Sequence, residues 1–363
     1  MTSFHRAPPA GEDLASAGAR KENYNTIEKL RKSLEFLIKT GITMVMYVVD
    51  NENQTSVKVF ILLGLSNVFA LRIVYSLLFL VLYIITLCMN LLLVVVVRSD
   101  HKLRTPMYFF LSNLSVIDIC FSSSVVPKIL ANTLSENRSL SFLGCATQLY
   151  VHLALGATEC LLLAVMSYDR YIAICKPLQY SIIMSERTCL RLAIGCWVVS
   201  FVNSVILTVF TFKLSYCGAN HVNHFFCEMP FILRLSCQDF WFSEVVEYIS
   251  AALIAVGSFS LILLSYFRIT LSILSIRAAN QRHKAFSTCA SHLTVVSMFF
   301  GTVLFMHLRP PSHYSPDQDR VLAILYTVVT PVLNPIIYSV RNKDIKDSLQ
   351  RTINVMFKKF LHF

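Results

Sequence analysis

Charge is scarce in this sequence. Only 15% of its 363 residues are Asp, Glu, Lys or Arg, against 55% hydrophobic. An average soluble domain carries roughly 25% charged residues, so a water-soluble globular class is excluded. The start lacks the basic n-region, short apolar core and small-residue cleavage site of a secretory leader, and none is expected. No metal-ligand helix motif and no nucleophile elbow occur, which leaves hydrolytic chemistry without a carrier.

What the chain has is apolar length. Seven runs are long enough to span a bilayer: Ile73–Val97, Pro106–Ile129, Cys145–Ile174, Leu192–Phe212, Val245–Ile276, Ala285–Leu308 and Val321–Val340. About 20 apolar residues cross the hydrocarbon core, and lipid forces each run into a helix because its amides have no water to bond. The expected fold is an all-α membrane protein, a seven-transmembrane helix bundle over residues 72–340. A transporter would show internal repeats and interrupted helices in both halves. Neither is visible, and seven spans do not divide evenly.

The net charge of +11 resolves into topology once it is located. Arg98, Lys102 and Arg104 follow the first span, and Lys176, Arg187 and Arg191 the third. Arg268, Arg277, Arg282 and Lys284 surround the fifth-to-sixth connection, and Arg341, Lys343, Lys346, Arg351, Lys358 and Lys359 follow the seventh. These alternate connections share one side, which the positive-inside rule makes cytoplasmic. The reading is a multi-pass plasma-membrane protein with its N-terminus outside. The charge serves topology and lipid contact, and no nucleic-acid partner is expected.

Residues 1–43 are of another kind, rich in charged and small residues. Ile27, Leu30, Leu34 and Leu37 have helical spacing, but the segment is short and is expected to be a disordered, dispensable extension. Residues 44–71 are the expected extracellular tail, since translation from Met44 or Met46 would leave a short tail carrying Asn53. Asn53-Gln54-Thr55 is a glycosylation acceptor on the expected outside. Asn137-Arg138-Ser139 ranks below it, and Asn113-Leu114-Ser115 lies inside a span. After the seventh span, residues 341–363 form the cytoplasmic part. There Ile345 and Leu349 alternate with charge, as a short amphipathic helix on the inner leaflet would.

The polar residues inside the spans are functional candidates by default. Asp118 lies near the middle of the second span. Glu159 precedes Arg170 by eleven residues, about 16 Å or three turns. Isolated charges of this kind cost roughly 2.5–3.5 kcal/mol each on insertion scales, so protonation, water or a shared cation is expected. Pro331 and Pro335 interrupt the seventh helix, and Asn334 is a candidate partner for a freed carbonyl. Cys145, Cys217, Cys227 and Cys237 lie on the outer side. Four cysteines there suggest two bridges with three possible connectivities. Zinc with His221 and His224 is the weaker alternative.

The string MSYDRYIAICKPLQY (166–180) carries a strong resemblance. FILLGLS (60–66), TPMYFFLSNLSVIDIC (105–120), CGANHVNHFFCE (217–228), RLSC (234–237), SYFRI (265–269), KAFSTCASHL (284–293) and TPVLNPIIYSVRNKDIK (330–346) add to it. Together they resemble the odorant receptors among rhodopsin-like G-protein-coupled receptors. Departures are Cys88-Met89 before Asn90, Ser167, Gln179, and Phe299-Phe300-Gly301 where Phe-Tyr-Gly is usual. Residues 1–43 match nothing in the family.

The resemblance implies a small odorant bound between helices and a heterotrimeric stimulatory, olfactory-type G protein raising cyclic AMP. It implies coupling through Asp169, Arg170, Tyr171, Tyr266, Asn334, Pro335 and Tyr338. Arg170 is expected to be held by Asp169 at rest and freed on activation, when Tyr266 and Tyr338 would approach it. It also implies a sodium ion at Asp118 and Glu159, with no other cofactor. It pairs Cys145 with Cys227, which leaves Cys217 with Cys237. Helical spacing from Arg170, Tyr266, Phe300 and Pro335 gives the candidate ligand residues: His152, Leu153 and Gly156; Ser250 and Ile254; Val303, Leu304 and His307; Tyr326 or Thr327. No carboxylate is among them, and the third span has His152 where an amine receptor needs Asp. A neutral, weakly polar ligand is therefore expected.

Overall fold

The computed structural model describes residue 28 and residues 31–47, 57–65, 68–135, 138–218, 220–308, 316–341 and 344–352. Seven helices among them are long and apolar enough to cross a membrane. They are α2 (Phe69–Ser99), α3 (Pro106–Leu134), α4 (Phe142–Cys175), α5 (Glu186–Phe212), α6 (Trp241–Leu274), α7 (Ala279–Leu308) and α8 (Pro316–Arg341). Helix starts follow local chemistry. Pro106 opens α3 where its missing N–H costs nothing. Ser141 caps α4 by accepting from the Gly144 amide at 3.0 Å.

The most enclosed span is α4. It packs against α3, α5, α6 and α7, so side chains along it reach every polar layer of the bundle. Two helices carry a single π-turn, Ala252–Val256 in α6 and Leu325–Val329 in α8. Such turns insert one residue into the helical register and occur often at functional sites.

One end of the bundle is closed by a sheet that the sequence reading missed. Strand β1 (Val59–Leu62) lies between β2 (Ser139–Ser141), antiparallel, and β3 (His221–Val222), parallel. Its period-two pattern buries Phe60 and Leu62 and leaves Val59 exposed. Phe60 stacks on Phe142 and meets the edge of Tyr216. Gly64 then turns with φ +76°, a conformation that favours glycine, and donates its amide to the His224 carbonyl. This is the sheet end. Asp169 and Arg170 lie at the other, the arginine end.

Two terminal helices complete the chain. Residues 344–352 form α9, with Ile345 buried and Arg351 paired to Asp100 at 2.7 Å. Residues 31–47 form α1, against the expectation of disorder across 1–43. The reason is tertiary. Leu34, Leu37, Ile38, Ile42 and Val45 make one apolar stripe, and it packs on the core. Most helical stability in proteins comes from packing of an apolar face, so the stripe needs a partner that sequence does not show. Asn53, Asn137 and residues 353–363 lie outside the described residues.

Candidate functional site

At the arginine end, Asp169 is fully buried and accepts the Tyr180 hydroxyl at 2.8 Å. Among the described residues no ion pair within 4 Å joins Asp169 to Arg170, although the two charges interact. Tyr180 was missed because the short helix Tyr180–Ile183 folds back on α4. The Arg170 charge is felt by Asp169 and also by Tyr266, Cys289, His292 and Tyr338, from α6, α7 and α8. Tyr266 is bonded to His292 Nδ1 at 2.8 Å, and the other ring nitrogen of His292 meets the Leu163 carbonyl at 3.2 Å. The Tyr338 hydroxyl has no partner, and Tyr171 stacks loosely on Tyr168. His292 belongs to the KAFSTCASHL string, so the signal that places it was present.

The middle layer gathers Asp118 from α3, Glu159 from α4 and Asn334 from α8. Asn334 Nδ2 donates to both Asp118 oxygens at 3.1 and 3.2 Å. Glu159 interacts electrostatically with Asp118 and also meets Asn334. Glu159 Oε1 and Asn334 Oδ1 are buried without partners. Pro335 removes the bond to the Pro331 carbonyl, and that carbonyl is taken by Asn90 Nδ2 at 3.0 Å. The partner of the freed carbonyl is therefore Asn90, not Asn334. Among the described residues no group of three or more His, Cys, Asp or Glu has the arrangement of a metal site.

At the sheet end, the connection from α5 to α6 forms a roof. Cys227 is bonded to Cys145 at the start of α4, and Cys217 to Cys237 within the connection. The Cys227 amide also donates to Gln148 Oε1, whose Nε2 holds the Ser124 carbonyl. These ties fix Glu228, the next residue, above the bundle. Its Oε1 accepts the Tyr326 hydroxyl at 3.2 Å, and that hydroxyl lies 3.3 Å from His152 Nε2. His224 Nε2 is 3.6 Å from Glu228 Oε2, an ion-pair distance too long for a hydrogen bond. Phe121 and Phe226 flank His152, with ring centroids 4.8 and 4.7 Å away.

Several polar atoms in this cluster have no partner: His152 Nδ1, both His224 nitrogens and Glu228 Oε2. Tyr326 has one hydroxyl hydrogen, given to Glu228. In the tautomer that donates to it through Nε2, the unpartnered Nδ1 of His152 is an acceptor. Burial pushes the Glu228 carboxyl up to about 8, and the charges of Glu247 and Asp319 add to the shift. Burial, with the Arg320 charge second, holds His224 down at about 3. Both shifts favour the uncharged form at neutral pH.

Of the candidate ligand residues, His152 and Tyr326 come together here. Gly156 lies below, where an added Cβ would meet Phe121 at 3.8 Å. Leu153, Ile254, Val303 and Leu304 are half-buried against the core. Ser250 is turned to α5 and donates to Asn203, and Thr327 bonds the Ala323 carbonyl of its own helix. The side chain of His307 lies outside the described residues. Phe121, Phe226, His224 and Glu228 were missed. Glu228 also corrects the premise that no carboxylate faces the site. A separate cleft at the sheet end, lined by Leu63, Arg72, Asn132 and Arg138, has its arginines committed to backbone carbonyls.

A family model described as olfactory receptor matches residues 79–356. Olfactory receptor 5AP2 of Mus musculus is 47% identical over 306 residues, covering 84% of this chain and 96% of that protein. Olfactory receptor 5I1 of Homo sapiens is 47% identical over 303 residues, with the same shares. Olfactory receptor-like protein OLF1 of Canis lupus familiaris is 47% identical over 303 residues, 84% and 97% of the two chains. With seven apolar helices, the polar layers along α4 and identity across most of its length, the chain belongs to the olfactory receptor family of rhodopsin-like G-protein-coupled receptors.

Proposed function

We propose that this receptor binds a small, neutral, weakly polar volatile molecule beneath the roof, between α4, α6, α7 and α8. The carrying observation is the set of unpartnered polar atoms on His152, His224 and Glu228 beside Phe121 and Phe226. A buried polar atom without a partner costs about 1–3 kcal/mol, so a ligand with one hydrogen-bonding group in an apolar body relieves it. His152 Nδ1 as an acceptor suits a ligand hydroxyl. Glu228 as a neutral acid suits a ligand carbonyl or ether. The neutral-ligand reading thus rests on a carboxyl that burial keeps protonated, not on the lack of one.

The sheet end faces outside in this reading, with Asn53 glycosylated there. The basic connections at the arginine end face anionic lipid and a stimulatory, olfactory-type G protein that raises cyclic AMP. In the middle layer Glu159 Oε1 and Asn334 Oδ1 are oxygens without partners beside the Asp118 carboxylate, and this set fits a sodium ion. The ion would offset the two carboxylates. Asp118 and Glu159 would hold it, and Asn334 keeps α8 against α3 by its bonds to Asp118.

The pH test follows from Glu228. Its raised value leaves the acid form present through neutral pH and lost as pH rises past about 8. A neutral agonist that accepts its proton should lose potency between pH 7 and pH 9, normalised to directly stimulated cyclase. Glu228→Gln should flatten that loss. If permanently charged amines are the strongest agonists, the neutral-ligand reading fails. The middle layer has its own check. Replacing external sodium should shift agonist potency in the wild type and leave Glu159→Gln unmoved. A wild type indifferent to sodium would remove the ion from the reading.

A further inference from the structure

The helical spacing of Leu34 and Leu37 belongs to a formed helix, α1, and it is seated on the bundle. Its apolar residues at positions 34, 37, 38, 42 and 45 fall on one face, and that face is the buried one. The seat is tight at one point. Gly41 is buried, and a Cβ there would overlap the Tyr150 hydroxyl. That hydroxyl donates to the Leu37 carbonyl at 3.2 Å, one turn earlier. Tyr150 has little room to yield, because its ring packs on Phe201 of α5 and its backbone carbonyl accepts the Ser204 hydroxyl.

The outward face of α1 is mixed. Arg31, Lys32, Glu35, Phe36 and Lys39 are exposed on the first turns, where Arg31 pairs with Glu28 and Glu35. Met44, Met46 and Tyr47 are exposed on the last. Paired charges at these spacings support the helix, and a face that mixes charges with exposed Phe36, Met44, Met46 and Tyr47 suits a water–lipid boundary. Tyr150 sits eight residues into α4, about 12 Å from its sheet end.

The position matters for the ligand. Two residues along a helix are about 200° apart, so Tyr150 and His152 point to opposite sides of one turn of α4. The occupant of the Tyr150 side therefore bears on the turn that presents His152. The chain beyond α1 returns as β1, whose neighbours hold the roof: Ile61 donates to the Asn220 carbonyl and Leu63 to the Val222 carbonyl. α1 thus bears on the site through α4, and β1, which follows it in the chain, bears on it through the roof.

We propose that residues 31–47 are a docking helix carried in cis, seated through Gly41 on Tyr150, that holds the sheet-end turn of α4 in its ligand-binding position. This replaces the expectation that residues 1–43 are dispensable. Met44 and Met46 lie inside α1, so a chain begun at either would lack the seat, and the two forms would differ in ligand potency.

The test uses the full-length receptor with an N-terminal epitope, a specific protease site inserted between residues 48 and 56, and p-azidophenylalanine in place of Tyr150. After irradiation and cleavage, the epitope should stay with the receptor. Gly41→Trp should lower the retained fraction at least tenfold while surface level holds. Release of the epitope at the unirradiated level would overturn the seat, as would equal retention in Gly41→Trp. Cross-linking to a differently tagged second copy would also overturn it. In parallel, a chain begun at Met46 should respond with potency shifted at least threefold at matched surface level. Equal potency would overturn the link to the ligand site. Both arms can be read with any agonist, neutral or charged, so their failure is distinguishable from failure of the neutral-ligand reading.

Discussion

Cys145→Ser is expected to strip most of the receptor from the cell surface. The bond it breaks joins the first turn of α4 to Cys227 across 82 residues. Closing a loop of that size removes chain entropy worth about 4.5 kcal/mol at 25 °C, against about 3.3 kcal/mol for the 20-residue separation of Cys217 and Cys237. Most folded proteins have only about 5–15 kcal/mol of stability, so the first bond is a large share. The loss is also local. Cys227 precedes Glu228, and its amide is held by Gln148, so the roof loses its anchor where the candidate site needs it. Surface labelling against total protein checks this. Cys227→Ser should match Cys145→Ser, and the double variant should be no worse. Cys145→Ser at normal surface level with normal response would show that the bond holds nothing that matters.

The contrast between span and roof explains what was legible in the sequence. Each span announces itself, because lipid allows one solution to an apolar run of that length. Asp118, Glu159 and Asn334 were visible for the same reason, since a polar residue in such a run needs a partner. That Asn90 rather than Asn334 takes the Pro331 carbonyl was not visible, because it depends on how α2 and α8 face each other. Glu228 was hidden differently. It lies in a polar connection where carboxylates are ordinary, and only the bond from Cys227 to Cys145 brings it over Tyr326. The π-turns add a further shift. Tyr326, Thr327 and Ile254 all lie in one, so counting from Pro335 or Tyr266 misses the inserted residue. The sheet is built from strands of two to four residues, too short for any alternation to be read before pairing is known. The helix α1 had its pattern in view, but its partner is Tyr150, more than a hundred residues away.

Arg170→Ala is expected to abolish the cyclic AMP response while the protein remains at the surface. The arginine end has the parts of a two-state device. Asp169 is held by Tyr180 through one oxygen, and its other oxygen is buried without a partner. Arg170 has a buried Nε without a partner, and its charge is felt by Asp169, Tyr266, His292 and Tyr338. Tyr266 is committed to His292, and the Tyr338 hydroxyl is uncommitted. Groups with unmade bonds on three helices can exchange partners when α6, α7 and α8 shift, and such exchange makes a transition discrete. Removing the guanidinium takes away the one group that all of these can share. It breaks no bond that the resting bundle depends on, because Asp169 keeps Tyr180 and His292 keeps both of its contacts. Stability should therefore change little, and the loss should appear in signalling alone. The measurement is cyclic AMP accumulation at saturating agonist, beside surface labelling of the same cells. A variant that reaches the surface and signals at the wild-type maximum would remove Arg170 from the coupling route. A variant absent from the surface would show that the arginine serves folding instead.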